Sequence, residues 1–309
     1  MDKPTIQPPK AKIGDTVSII APGSSTELRE EFGQSVATLE KMGFQVRFDD
    51  RIFQSNRYLA GDDAFRAENL MHAFEDPSVS AIIALRGGYG SARLIPHLSK
   101  KRLRRHPKIF MGFSDITALH LFFRRHFGWT TIHGPMTISP GLGSFPRDQE
   151  LHLLSLWTDP DYRPVLSFPQ LETLYPGSAE GTLTGGCLSI ITTSIGTPYE
   201  IQTQGTILFL EDQGEPPYKL DRKLTHLRLA GKLQNLAGVL LGQFRDCDPT
   251  QGDYAAMDVL RDILTGLEVP IIANFPAGHG KDNWALPVGA KIRIDADARS
   301  ITLLDSTVR

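Results

Sequence analysis

Lys108-Ile109-Phe110-Met111-Gly112-Phe113-Ser114-Asp115-Ile116-Thr117-Ala118-Leu119-His120 is the stretch on which the reading of this chain turns. Ile109 to Met111 form a short apolar run that predicts a buried strand. Gly112 permits close backbone approach, and Asp115 opens a helical pattern in which Ile116, Leu119 and Phe123 share a face. Ser114 therefore stands between the carboxyl end of a strand and the amino end of a helix. Unpaired N–H groups and a positive helix dipole gather there, so negative charge on an attacked carbonyl oxygen is stabilised. That is the logic of a nucleophile elbow. The competing reading is that Ser114 only caps the helix, as serine commonly does.

Outward from this unit the pattern repeats. Thr16 to Ala21 is a β-branched strand ending in Pro22-Gly23-Ser24-Ser25. Thr26 caps a predicted helix from Leu28 towards Met42, and Phe44 to Phe48 give a second strand. A helix from Asp62 to Glu75 carries Asp63, Arg66 and Glu68 on its charged face and turns Phe65, Leu70 and Phe74 inward. Val79 to Leu85 is a buried strand that runs into Arg86-Gly87-Gly88-Tyr89-Gly90, whose glycines leave N–H groups uncovered and suited to an anion or oxyanion. Gly88 to Arg93 imitates a dinucleotide fingerprint, but Arg93 replaces its last glycine, and NAD is not expected. Thr130 to Ile132 is a further strand. Strands alternating with helices predict a parallel sheet with helices on its faces.

Prolines and glycines from Ser139 to Gly177 weaken the pattern around one short helix near Leu151 to Trp157. The second half predicts strands at Gly181–Cys187, Thr206–Leu210, Ala237–Gly242 and Pro270–Ala273. Helices follow Cys187, Pro217 and Met257, and Lys291–Ile294 with Ser300–Leu304 close the chain as an antiparallel pair. The expectation is an α/β protein of two domains: residues 13–150 with a parallel sheet flanked by helices, a linker at 151–178, and a smaller α/β domain with mixed strands at 179–309. A chain of 309 residues is long for one domain.

Composition narrows the function classes. A formal net charge of -2 gives no reason to expect nucleic acid or a membrane surface as partner. The basic run Lys100–His106 reads as a solvated helix end. Cys187 and Cys247 make neither a disulfide framework nor a metal cluster. No apolar run reaches ~18 residues and no signal-like leader is seen, so a cytoplasmic location is expected.

In an open α/β sheet, function collects at the carboxyl ends of strands. Ser114 stands at one. Glu211 follows five apolar residues at another, and His279 sits between two glycines in the loop after a third. A serine hydroxyl needs a base, and an imidazole needs a carboxylate to hold its tautomer. On the residues alone Asp212 and Glu215 compete with Glu211, and His120 and His133 compete with His279.

The motifs Arg86-Gly-Gly-Tyr-Gly90, Gly112-Phe-Ser-Asp115, Leu210-Glu-Asp-Gln-Gly-Glu-Pro-Pro-Tyr218 and Gly278-His279, in this order and spacing, resemble the LD-carboxypeptidase family of serine peptidases. That family includes murein tetrapeptide carboxypeptidases and microcin C self-immunity peptidases. The resemblance runs from about residue 14 to about 305. It implies a triad of Ser114, Glu211 and His279, and an oxyanion hole of the Gly88 and Asp115 N–H groups. It also implies a homodimer and a peptide substrate cleaved before a carboxyl-terminal D-residue. No metal is expected, since His279 has no second ligand four residues on or in a cysteine pair, and no cofactor is expected. Arg86 is a candidate contact for the substrate's terminal carboxylate, or else a salt-bridge partner at the sheet edge; Tyr89 is a second candidate substrate contact. Two features depart from expected patterns. Cys187 stands where members often have Asn, and Ile116 stands where α/β-hydrolases prefer glycine, which argues against that fold. The short run between Gly196 and Glu211 favours the murein-type activity over a microcin-type peptidase acting on an aminoacyl-nucleotide conjugate. For the latter, Trp284 is the candidate aromatic platform. A non-catalytic binding protein of the same fold is the remaining alternative.

Overall fold

The computed structural model describes residues 3–138, 141–249, 251–252 and 254–309; Ser139 and Pro140, within the proline-rich stretch, lie outside them. In chain order the elements are β1 (Thr16–Ile20), α1 (Arg29–Lys41), β2 (Gln45–Phe48), α2 (Asp63–Glu75), β3 (Val79–Ala84), α3 (Ser91–Leu94), α4 (Lys100–Leu103), β4 (Ile109–Gly112), α5 (Thr117–Phe127), β5 (Thr131–His133) and α6 (Arg147–Thr158). There follow β6 (Val165–Leu166), β7 (Glu172–Tyr175), β8 (Ser178–Cys187), α7 (Leu188–Ser194), β9 (Thr206–Gln213), α8 (Pro217–Leu229), β10 (Gly238–Arg245), α9 (Ala256–Leu264), β11 (Ile271–Ala273), β12 (Leu286–Val288), β13 (Lys291–Asp295) and β14 (Ser300–Leu303).

The chain divides into two compact units. The first comprises the described residues of Met1–Tyr162 with Trp284–Pro287 and Ser306–Arg309; the second comprises those of Arg163–Asn283 and Val288–Asp305. Residues 151–178 supply most of α6 to the first unit and β6 and β7 to the second.

The first unit is built on a sheet of order β12-β5-β4-β3-β1-β2, in which β1 to β5 run parallel. Its inner strands are buried along their length, as strands covered by helices on both faces must be. Order reverses between β1 and β3, so the loops after β1, β3 and β4 emerge side by side at one end. The aromatic core behind them joins Phe74, Phe110, Phe123 and Trp129. The second unit carries a mixed sheet of order β6-β14-β13-β8-β9-β10-β11-β7. Its strands β8 to β11 run parallel, and β13 with β14 form the expected antiparallel pair.

Some local expectations change. Leu28, not Thr26, occupies the cap position of α1, and Thr26 Oγ1 accepts the Leu28 N–H one step earlier. Arg66, expected on the charged face of α2, is 1% exposed. β9 continues through Gln213 rather than stopping at Leu210, so Glu211 lies inside a strand. No helix among the described residues is long and apolar enough to cross a membrane.

Candidate active site

In the first unit the loops after β1, β3 and β4 converge at the point where strand order reverses, where open α/β sheets leave a crevice. Ser114 has φ +63°, a left-handed conformation rare for a residue with a side chain. Holding it costs ~1–2 kcal/mol, and such strain clusters where function requires it. Ser114 opens a single tight turn to Ile116, whose cap position is Phe113, and α5 then begins at Thr117. The serine is thus the pivot of the turn rather than its cap. Ile116 packs onto Gly112, where a Cβ would meet its side chain at 2.9 Å, so this elbow closes with glycine before the serine.

The glycine turn lies directly against Ser114. A Cβ added to Gly87 would stand 3.0 Å from the Ser114 Cβ, 3.2 Å from its Oγ and 3.3 Å from the Asp115 nitrogen. Gly88, at φ +87°, has no room for a side chain beside Ser24. Ser24 braces the turn from β1: its N–H donates to the Gly87 carbonyl at 3.0 Å, and its Oγ accepts the Tyr89 N–H at 3.0 Å. Arg66 Nη1 donates to the Gly90 carbonyl at 3.1 Å and to that of Pro22. Neither Ser24 nor Arg66 was given a place in the site from sequence. Ser24 was within reach, because the loop after the first strand of such a sheet belongs to the crevice. Arg86 is half-buried beneath the turn, with Nη1 donating to the Ser25 carbonyl at 3.1 Å. Tyr89 is exposed and leans on the ring of Tyr58.

The second unit brings Glu211 and His279 together. His279 Nδ1 lies 2.6 Å from Glu211 Oε2, and the carboxyl side chain is fully buried. Burial pushes the Glu211 carboxyl up, opposed by the adjacent imidazole. Burial alone would lower His279, but the Glu211 carboxylate outweighs it and leaves the imidazole raised above its ordinary value. Two glycines make the contact possible. A Cβ on Gly278 would stand 2.6 Å from Glu211 Oε2, and one on Gly242 would stand 3.1 Å from Glu211 Cβ. Asn283 Oδ1, fully buried, accepts the Gly278 N–H at 3.0 Å and fixes the loop. No local pattern marks Asn283.

The competitors have other partners. Asp212 Oδ2 accepts the N–H and Oγ–H of Ser189 at the start of α7, at 3.0 and 2.7 Å, and Oδ1 takes the Cys187 thiol at 3.5 Å. Glu215 pairs with Lys223 at 2.9 Å. His120 is fully buried between Thr131 Oγ1 and the Gly112 carbonyl, and burial lowers it to about 4. His133 is buried against the ring of Phe113. Trp284 packs on His152, with ring centroids 5.0 Å apart.

Comparison with known proteins decides the family. Residues 17–134 match the model of the LD-carboxypeptidase N-terminal domain and residues 180–294 that of the LD-carboxypeptidase C-terminal domain. The chain belongs to the LD-carboxypeptidase family. It is a serine carboxypeptidase, and hence a hydrolase. A probable murein peptide carboxypeptidase of Bacillus subtilis is 35% identical over 293 residues, covering 94% of this chain and 92% of the relative. The crystal structure of muramoyltetrapeptide carboxypeptidase from Oxalobacter formigenes is 30% identical at TM-score 0.81, covering 93% and 97% of the two chains. The microcin C7 self-immunity protein MccF, in complex with aspartyl sulfamoyl adenosine, reaches TM-score 0.92 at 22% identity over 98% and 100%. That last likeness is one of fold. The two expectations about family and α/β architecture are thereby met.

Proposed function

We propose that this LD-carboxypeptidase releases a carboxyl-terminal D-amino acid, D-alanine from murein tetrapeptide, through an acyl-enzyme on Ser114. The observation that carries the reading is the 2.6 Å contact of His279 Nδ1 with Glu211 Oε2. A carboxylate on Nδ1 favours the tautomer with its proton there, in which Nε2 can act as base. His279 takes the Ser114 proton as the hydroxyl attacks the amide carbon, then gives it to the departing amine. Water enters by the same route and frees the shortened peptide. The left-handed turn at Ser114 supports the nucleophile assignment. The oxyanion is held by the Asp115 and Gly88 N–H groups, each worth ~3 kcal/mol in such sites. Support for Gly88 is that Ser24 already occupies the neighbouring Tyr89 N–H. Arg86 takes the substrate's terminal carboxylate, as an exopeptidase requires, and Tyr89 borders the same turn. The homodimer and the cytoplasmic setting, as part of cell-wall peptide recycling, rest on the family resemblance.

Relatives of 30% identity or more with murein or muramoyl peptides in their names favour this substrate over an aminoacyl-nucleotide. Trp284, the candidate purine platform, has its ring against His152. The test is mass spectrometry of products from L,D- and D,D-linked peptides, with wild type and Ser114→Ala. Wild type is expected to release D-alanine from the L,D-linked tetrapeptide only. Ser114→Ala should lose about 10⁶-fold in kcat. D-alanine release that survives in the purified variant would overturn the mechanism.

A further inference from the structure

The mechanism above uses Asp115 only through its backbone N–H, yet its side chain is 2% exposed. A carboxylate so deeply buried is costly unless it is bonded. Its Oδ2 accepts the Ser91 N–H at 2.8 Å. Ser91 is the first residue of α3 and follows the glycine turn directly. One residue therefore spans the two turns: its main chain belongs to the Ser114 pivot, and its side chain is fastened to the far end of Gly87–Gly90. The same end is held from the other side. Arg66, 1% exposed, donates to the Gly90 carbonyl at 3.1 Å and is itself paired with Asp63, which also receives Arg93 at 2.7 Å. Gly90 has φ +137°, and a Cβ there would stand 2.6 Å from Arg66 Nη1. Ser24 sets the turn's place relative to β1, whereas Asp115 sets it relative to Ser114.

We propose that the Asp115 carboxylate is a positioning residue: by holding the Ser91 N–H it fixes the Gly88 N–H at the separation from the Asp115 N–H that a tetrahedral oxyanion needs. This rests on the oxyanion reading above and adds a determinant to it. A loosened donor stabilises the transition state less while ground-state binding of the peptide is unchanged, so the effect falls on kcat rather than KM.

The experiment uses the full chain and two probes, murein tetrapeptide and a peptide boronic acid. On reaction with serine the boronic acid becomes a tetrahedral adduct whose oxygen sits where the oxyanion would. Asp115→Ala is expected to lower kcat by about 100-fold, the loss of one oxyanion donor. KM should stay within about threefold, with boronate affinity falling by the same factor as kcat. Asp115→Asn, whose Oδ1 still accepts the Ser91 N–H, should return both to within about fivefold of wild type. Should Asp115→Ala fail to fold, Asp115→Leu fills the same space with a side chain of similar shape that accepts no hydrogen bond; it should show the same loss. Boronate affinity and kcat within threefold of wild type in a folded Asp115→Ala or Asp115→Leu enzyme overturn the inference. So does an Asn variant as impaired as the Ala one. Activity surviving in Ser114→Ala instead sinks the nucleophile reading itself, so the two failures are distinct.

Discussion

Gly278 is the position where a single methyl group tests the Glu211–His279 pair. A Cβ there would lie 2.6 Å from Glu211 Oε2, 3.0 Å from its Cβ and 3.1 Å from its Cδ. Ordinary contact begins near 3.4 Å, so the carboxylate must retreat by about 0.8 Å. Because the methyl presses on the side chain from Cβ outward, rotation about χ1 does not relieve the clash. The Nδ1–Oε2 contact, now 2.6 Å, is stretched beyond hydrogen-bond length. A misplacement near 1 Å costs ~10²-fold in rate, and complete loss of a triad acid's function costs ~10⁴. Gly278→Ala should therefore lower kcat by about 10²–10³-fold. The alanine must also adopt φ +115°, which adds a stability loss of ~1–3 kcal/mol. The assay is D-alanine release from murein tetrapeptide, beside urea unfolding followed by circular dichroism. Gly266→Ala is the control: no atom lies within 4 Å of the added methyl and no positive φ opposes it, so activity should be unchanged and stability equal or slightly higher. A folded Gly278→Ala enzyme with kcat within threefold of wild type would refute the role given to the pair.

Two further predictions concern protons. Glu211→Gln removes the charge that raises His279 and leaves burial, which lowers it. The acid limb of the kcat/KM profile should move to lower pH while the plateau falls by about 10⁴-fold; an unmoved limb in the pH–rate profile would count against His279 as the base. His120 is buried and lowered to about 4 from 6.5. The unfolded chain therefore binds a proton near pH 6.5 that the fold refuses until about pH 4, and the stability His120 contributes is full above 6.5 and lost as pH falls. Between pH 7 and 5 this amounts to about 2 kcal/mol, and urea titrations at the two pH values should show His120→Gln with a shallower dependence than wild type.

The first unit was readable because its inner strands are continuous apolar runs bounded by glycine and proline, the pattern that burial on both faces imposes. β6 and β7 were hidden for the opposite reason: they are the two edge strands of their sheet, of two and four residues amid prolines, which such positions tolerate. Arg66 was misread because helical periodicity places a guanidinium on a polar face without showing that the face meets two backbone carbonyls. Ser114 was visible as a strand–turn–helix pivot. Its left-handed backbone was not, since nothing in Phe113-Ser114-Asp115 requires φ > 0.

Glu211 and Asp212 show why local sequence leaves a site open. They are adjacent acids in one strand, so the pleat sends them to opposite faces. Composition cannot say which face does chemistry. On one face Gly242 and Gly278, 31 and 67 residues further along, leave a hollow in which a carboxylate can meet an imidazole. On the other, Ser189 at the start of α7 and Lys223 at 3.6 Å fix Asp212 as a structural anion that joins β9 to two helices. The role of each acid is thus set by residues remote in the chain. A family motif records that arrangement as a spacing, which periodicity does not. The same logic applies to Asp115, where the side chain and the N–H of one residue serve two different turns.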